Sequence, residues 1–173
     1  MPKNKIQIVW FKRDLRITDH RPIFEASINS IPTLPIYIFE TDYWKQPFAS
    51  KRHWCFIHDC LIDLRKDLKK IGQSLIVRSG SVKQIFEELS HRYNIISILS
   101  HEETGNKWTY DRDKSLQNWC LQNKISFTEF PSNGTVRRLK NRSEWSKIRN
   151  LRMKEKPIPT PTNLISLIGI DEG

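Results

Sequence analysis

Five short apolar runs divide the first 130 residues, with amphipathic stretches between them. They are IQIVWF (6–11), TLPIYIF (33–39), SLIVRSG (74–80), IISILSH (95–101) and ISFTEF (125–130). Their near-continuous apolar character, rather than strict alternation, predicts strands of a parallel sheet covered on both faces. Pro35 sits near the start of the second run, where a missing N–H costs little. The intervening segments carry helical periodicity. Between 51 and 72, Trp54, Ile57, Leu61, Leu64, Leu68 and Ile71 recur every three or four positions, and Gly72 follows as a C-terminal cap. Residues 81–93 open with SVKQ, a capping-box pattern, and place Val82, Ile85 and Leu89 on one face. Residues 106–123 carry Trp108, Leu116, Trp119 and Cys120. In the shorter first crossover, Asp19 reads as an N-cap and Pro22 as an early helical residue.

Strand and helix alternate throughout, which predicts an α/β fold: a doubly wound, Rossmann-like, five-stranded parallel sheet with helices on both faces. Residues 1–136 form this domain. A basic helical extension follows over 137–156, with a helix around 145–153. Three prolines then mark 157–173 as an extended linker toward a neighbouring domain.

At 173 residues, 38% hydrophobic and 28% charged, the chain is globular in composition. It has no apolar run near the roughly 20 residues that span a bilayer, and no signal-peptide core follows Met1. A cytoplasmic protein that avoids membranes is expected. Cys55, Cys60 and Cys120 are odd in number and form no C-x-x-C pair, so reduced thiols are expected rather than a disulfide or zinc site. The net charge is +10, and the 137–156 stretch, with nine Lys/Arg against two Glu, holds +7 of it. That stretch is a candidate contact for DNA backbone or an acidic neighbour.

In open parallel sheets, ligands bind beyond the carboxyl ends of the strands. Here those ends read FKRDLR, ETDYW, SGS, HEETGN and PSNG, and the first and fourth are dense in ionisable groups. A strand order that reverses beside the first strand would bring these two together. No dinucleotide fingerprint, P-loop or G-x-S-x-G is present, and HEETG fails the H-E-x-x-H zinc pattern at Gly105. No catalytic or metal-binding residues are therefore assigned. His20, His53, His58 and His91, without metal-ligand spacing, read as surface or helix residues. His101, Glu102 and Glu103 have two readings: hydrogen bonding to a heterocycle, or ion pairing with Arg13 or Arg16 across the crevice.

The combination of VWFKRDLRITDHR, LPIYIFE, SLIVRSGS, HEETGNKWTYDRD and FPSNGTVRRLKNRSEW resembles the amino-terminal α/β domain of the photolyase/cryptochrome family. His20 stands where the family usually has Asn. The resemblance implies a two-domain flavoprotein that repairs ultraviolet-damaged DNA with light or senses blue light. Its α/β domain would offer a crevice for an antenna chromophore (a deazaflavin, flavin or folate) and a docking surface. Lys12, Arg13, Asp14, Glu40, His101, Glu102 and Glu103 are the residues it implies for that crevice. FAD and catalysis would belong to a helical domain that these residues do not include. Full-length relatives would be deoxyribodipyrimidine photo-lyases, and this chain alone is not expected to be catalytic. Two other readings stay open: a nucleotide-binding module of the adenine-nucleotide α-hydrolase-like architecture, and a non-catalytic interaction domain closed by its own ion pairs.

Overall fold

The computed structural model describes residues 3–132, 134–137, 139–167 and 169–173. Asn133 of the last strand-end segment, Arg138 of the basic stretch and Ile168 of the Pro-rich stretch lie outside the described residues, as do Met1 and Pro2. Five parallel strands, β1 (Lys5–Phe11), β2 (Thr33–Phe39), β3 (Ile76–Ser79), β4 (Asn94–His101) and β5 (Ser126–Phe130), lie in the order β3-β2-β1-β4-β5. The helices are α1 (Arg21–Ile28), α2 (Thr41–Trp44), α3 (Lys51–Lys70), α4 (Val82–Arg92), α5 (Lys107–Gln122) and α6 (Trp145–Lys154). The doubly wound fold read from the sequence is the observed one. Its order reverses between β1 and β4, so the two charge-rich strand ends are neighbours.

Alternation along β1 builds two cores. Ile6, Ile8 and Trp10 pack with Phe86 of α4 and Leu116 and Trp119 of α5. Val9 and Phe11 pack on the other face with Ile23 of α1 and Leu61, Leu64 and Leu68 of α3. Three helix starts are capped by a preceding Ser or Asn: Ser50 accepts from His53 N–H, Ser81 from Gln84 N–H and Asn106 from Thr109 N–H. Gly72, at φ +75 just past α3, takes the left-handed conformation that favours glycine.

Two local expectations change. The α1 cap is His20, whose Nδ1 accepts the Ile23 N–H at 3.2 Å. Asp19, one residue earlier at φ +50, instead accepts from the Ile158 N–H. The Pro-rich stretch also runs back over the domain. Ile165 O accepts from Thr33 N–H, Glu172 O accepts from Val77 N–H, and Leu164 is buried. The edge strand β3 is thereby covered, one way to blunt an exposed edge. No helix among the described residues is long and apolar enough to cross a membrane.

Candidate chromophore crevice

Beyond the carboxyl ends of β1, β2 and β4 the charged side chains pair with one another. Lys12 keeps the parity of Trp10 and meets Asp113 of α5 at 2.9 Å and Glu129 of β5 at 3.5 Å. Glu40 occupies the N-cap of α2 but makes no capping bond, so its carboxylate is given to Arg112 at 2.6 Å. The same guanidinium lies 2.8 Å from Asp113 and 3.5 Å from Glu103. Glu103 also accepts the Gly105 N–H at 2.9 Å, and Arg13 reaches it at 3.4 Å. Arg137 joins Glu102 and Glu129 at 3.3 and 2.7 Å.

Burial dominates the electrostatics. It pushes the Glu40 carboxyl up to about 7 against the opposing pull of Arg112, while Asp113 and Glu103 add to the rise. Burial also disfavours the Arg112 charge, but Asp113 and Glu40 outweigh it and hold the guanidinium firmly protonated.

Behind this network Asp14 accepts three hydrogen bonds. One comes from the Lys12 N–H at 2.9 Å, one from His20 Nε2 at 2.7 Å and one from His101 Nδ1 at 2.6 Å. All three side chains are buried. Burial alone would raise the Asp14 carboxyl, but the bonds from His101 and His20 outweigh it and hold it well below the usual carboxylate range. Burial lowers His20 in turn, against the opposing effect of Asp14. Among the described residues, these three form a group whose ligand atoms lie within 4.8 Å of one another. The hydrogen bonds argue against a metal there. The Ile23 amide occupies His20 Nδ1, so Nε2 carries the proton given to Asp14 and has no lone pair for an ion.

An aromatic wall faces the network. Tyr43 and Trp44 of α2 stand beside His53 and Trp54 of α3, with Trp44 and Trp54 centroids 5.4 Å apart. Trp108 of α5 approaches Tyr43 to 5.5 Å, and the Arg112 guanidinium lies 4.8 Å from the Trp10 ring. Tyr43, Trp44 and His53 of this wall line, together with Lys12, Glu40 and Arg112, a crevice open to solvent. One side offers aromatic faces. The other offers a buried carboxyl and a guanidinium, a hydrogen-bond acceptor beside a donor. Pockets that pair mostly apolar walls with a few fixed polar groups are the usual form of a small-molecule site.

Lys12, Arg13, Glu40 and Glu103 line this crevice. Asp14, His101 and Glu102 line an adjoining one. Each named carboxylate also has a basic partner in the protein; of the pairs the ion-pair reading named, Arg13 meets Glu103, while Glu102 meets Arg137 and Arg16 donates to the Thr18 and Asp19 carbonyls instead. Sequence reasoning missed five contributors. His20, read as a surface or helix residue, is buried, because the ends of β1 and β4 converge on Asp14 and enclose it. Tyr43 and Trp44 come from a short helix inside ETDYW, where two adjacent aromatics were the available signal. Thr109 and Arg112 share one face of α5 by their spacing of three, a signal legible once Asn106 is taken as the cap.

A model of the family DNA photolyase matches residues 7–147. Cryptochrome DASH, chloroplastic/mitochondrial, of Arabidopsis thaliana is 31% identical over 105 residues, covering 57% of this chain and 18% of that protein. Cryptochrome DASH of Danio rerio is 28% identical over 137 residues, 75% of this chain and 26% of that protein. Among solved structures, a bacterial class III photolyase from Agrobacterium tumefaciens superposes with a TM-score of 0.82 at 20% identity, covering 99% of this chain and 37% of that one. An archaeal photolyase from Sulfolobus tokodaii, solved with two FAD molecules, gives 0.76 at 19% identity, with 93% and 38% covered. The chain thus spans 18% and 26% of the length of the two curated relatives.

Proposed function

The chain belongs to the DNA photolyase family, and on that premise we propose that it is the amino-terminal domain of a light-driven DNA repair or blue-light-sensing flavoprotein, contributing an antenna crevice. The observation that carries this reading is the crevice that Tyr43, Trp44 and His53 line together with the buried Glu40–Arg112 pair. A planar heterocycle stacks on the wall. Its ring N–H groups donate to Glu40 and its ring carbonyls accept from Arg112. Lys12, Arg13 and Glu103 complete the polar side, while Asp14 and His101, with Glu102 beside them, hold the ends of β1 and β4 in place. A deazaflavin, a flavin and a folate all offer such a ring.

The chain's own residues bind, orient and shield the chromophore. Electron transfer requires FAD on a helical domain to which 157–173 leads. Residues 137–156 supply a basic face toward DNA backbone or an acidic neighbour.

The test is the visible and near-ultraviolet absorption of the purified chain titrated with riboflavin, a deazaflavin and tetrahydrofolate, alongside Ile57→Trp, which fills the crevice floor. Saturable binding of one chromophore by the wild type, lost in the variant, supports the reading. Spectra that stay additive with all three overturn it.

A further inference from the structure

We infer that Arg13 is the anion-recognising residue of this site, selecting a planar ligand whose tail ends in a phosphate or carboxylate; the inference rests on the chromophore reading above. Arg13 stands where two crevices meet. The aromatic crevice and a second, adjoining one share Lys12, Arg13 and Glu103, and the second adds His101, Glu102 and Ser132. A ring stacked in the first therefore directs any side chain past Arg13 into the second.

Among the described residues, the neighbouring cations are already committed. Lys12 is tied to Asp113, Arg112 to Glu40 and Asp113, and Arg137 to Glu102 and Glu129. Arg13 is different. Its side chain is 56% exposed, and its ion pair is with Glu103 at 3.4 Å. Glu103 keeps the Gly105 N–H and Arg112 if Arg13 leaves, so turning away costs Arg13 little. A guanidinium freed in this way meets phosphate or carboxylate with two parallel hydrogen bonds.

Removing Arg13 also changes the sign of the wall. Glu102 and Glu103 line the same passage, and Glu102 Oε2 is buried with no hydrogen-bond partner among the described residues. Without the arginine, an anionic tail meets an acidic surface.

The experiment compares ligands that share a ring and differ in the tail. Dissociation constants are measured by fluorescence for FMN against riboflavin and for pteroylglutamate against pterin, with wild type, Arg13→Gln and Arg13→Lys. In the wild type the tailed member of at least one pair binds about tenfold or more tighter, the size of a hydrogen bond to a charged group. Arg13→Gln removes that advantage, and Arg13→Lys restores part of it. Affinity for the bare ring falls less than affinity for its tailed partner, because Arg13 is one of several residues lining the ring crevice. An FMN preference assigns a phosphate tail, and a pteroylglutamate preference a carboxylate. Equal binding within both pairs in the wild type, or an advantage that survives in Arg13→Gln, overturns the inference while leaving the crevice standing. Failure of all four compounds and of the deazaflavin to bind overturns the chromophore reading and this inference together.

Discussion

The carboxyl edge of the sheet and the basic extension are both dense in charge, yet the structure uses the two sets of charges differently. At the sheet edge, Lys12, Arg112, Glu40, Glu103 and Asp113 are largely buried and bonded to one another. In α6 no residue is buried, and Lys147, Arg149 and Lys154 face solvent. Buried pairs fix geometry, because a charge taken from water must have its partner in place. Exposed charges leave geometry alone and act at a distance, through a field that salt screens. Charge density alone does not separate a site from a solvated face; burial does.

Removing one member of the buried network is the strongest way to break this contrast. Arg112→Met leaves three carboxylates without their shared guanidinium and is expected to cost about 3 to 5 kcal/mol in urea unfolding at neutral pH. A loss below about 1 kcal/mol would mean that the network is no more coupled than a surface pair. Asp14→Asn comes next, at about 2 kcal/mol, because it strips the charge that both histidines address.

The pH dependence of stability sharpens the contrast further. His20 and Asp14 both have lowered values in the fold, so the unfolded chain takes up protons first as the pH falls. Their contribution is whole above the ordinary histidine value of 6.5 and declines below it, then declines again through the carboxylate range. Glu40 acts in the opposite sense. Raised to about 7, it holds a proton that the unfolded chain has already released, so its effect is a loss of stability as pH rises from 4.5 to 7. Glu40→Gln removes that component, and chemical denaturation of the two proteins across this window measures it.

Gly105→Ala probes the packing beneath the network. An added Cβ would lie 2.7 Å from Arg13 Nη2, 2.8 Å from Glu103 Oε1 and 2.9 Å from Thr109 Oγ1. A loss of about 1 kcal/mol in the same unfolding assay is expected, since these side chains must shift. The smallest effect on stability belongs to the extension. Replacing Lys147, Arg149 and Lys154 together by Ala should change it by no more than about 0.5 kcal/mol per site. The same change should weaken any binding to duplex DNA and flatten its salt dependence, measured by fluorescence anisotropy at several salt concentrations.

The sheet and its helices were legible because period-two and period-3.6 patterns depend on burial, which hydrophobicity encodes directly. Each of the five strands appears within two residues of its apolar run at either end. The crevice was legible by position, since strand ends at a switch in strand order are where such sites form. Its partners were less so. Arg112 and Asp113 lie about 70 and 100 residues from Glu40 and Lys12, and only the folded sheet brings them together. His20 illustrates the limit. Its character depends on Asp14, His101 and the Ile23 amide at once, and no local pattern contains all three. The return of 157–173 over β2 and β3 was hidden for a similar reason. Its prolines signal extended backbone, while the Thr33 and Val77 amides that receive it are distant in sequence.

The most direct test of the central claim is a crystal structure of the chain with the chromophore that binds it most tightly in titration. The predicted result is ring density between Tyr43, Trp44 and the Glu40–Arg112 pair, with the tail passing Arg13. Density stacked elsewhere, or an aromatic crevice closed around its own side chains in the presence of saturating ligand, would contradict it.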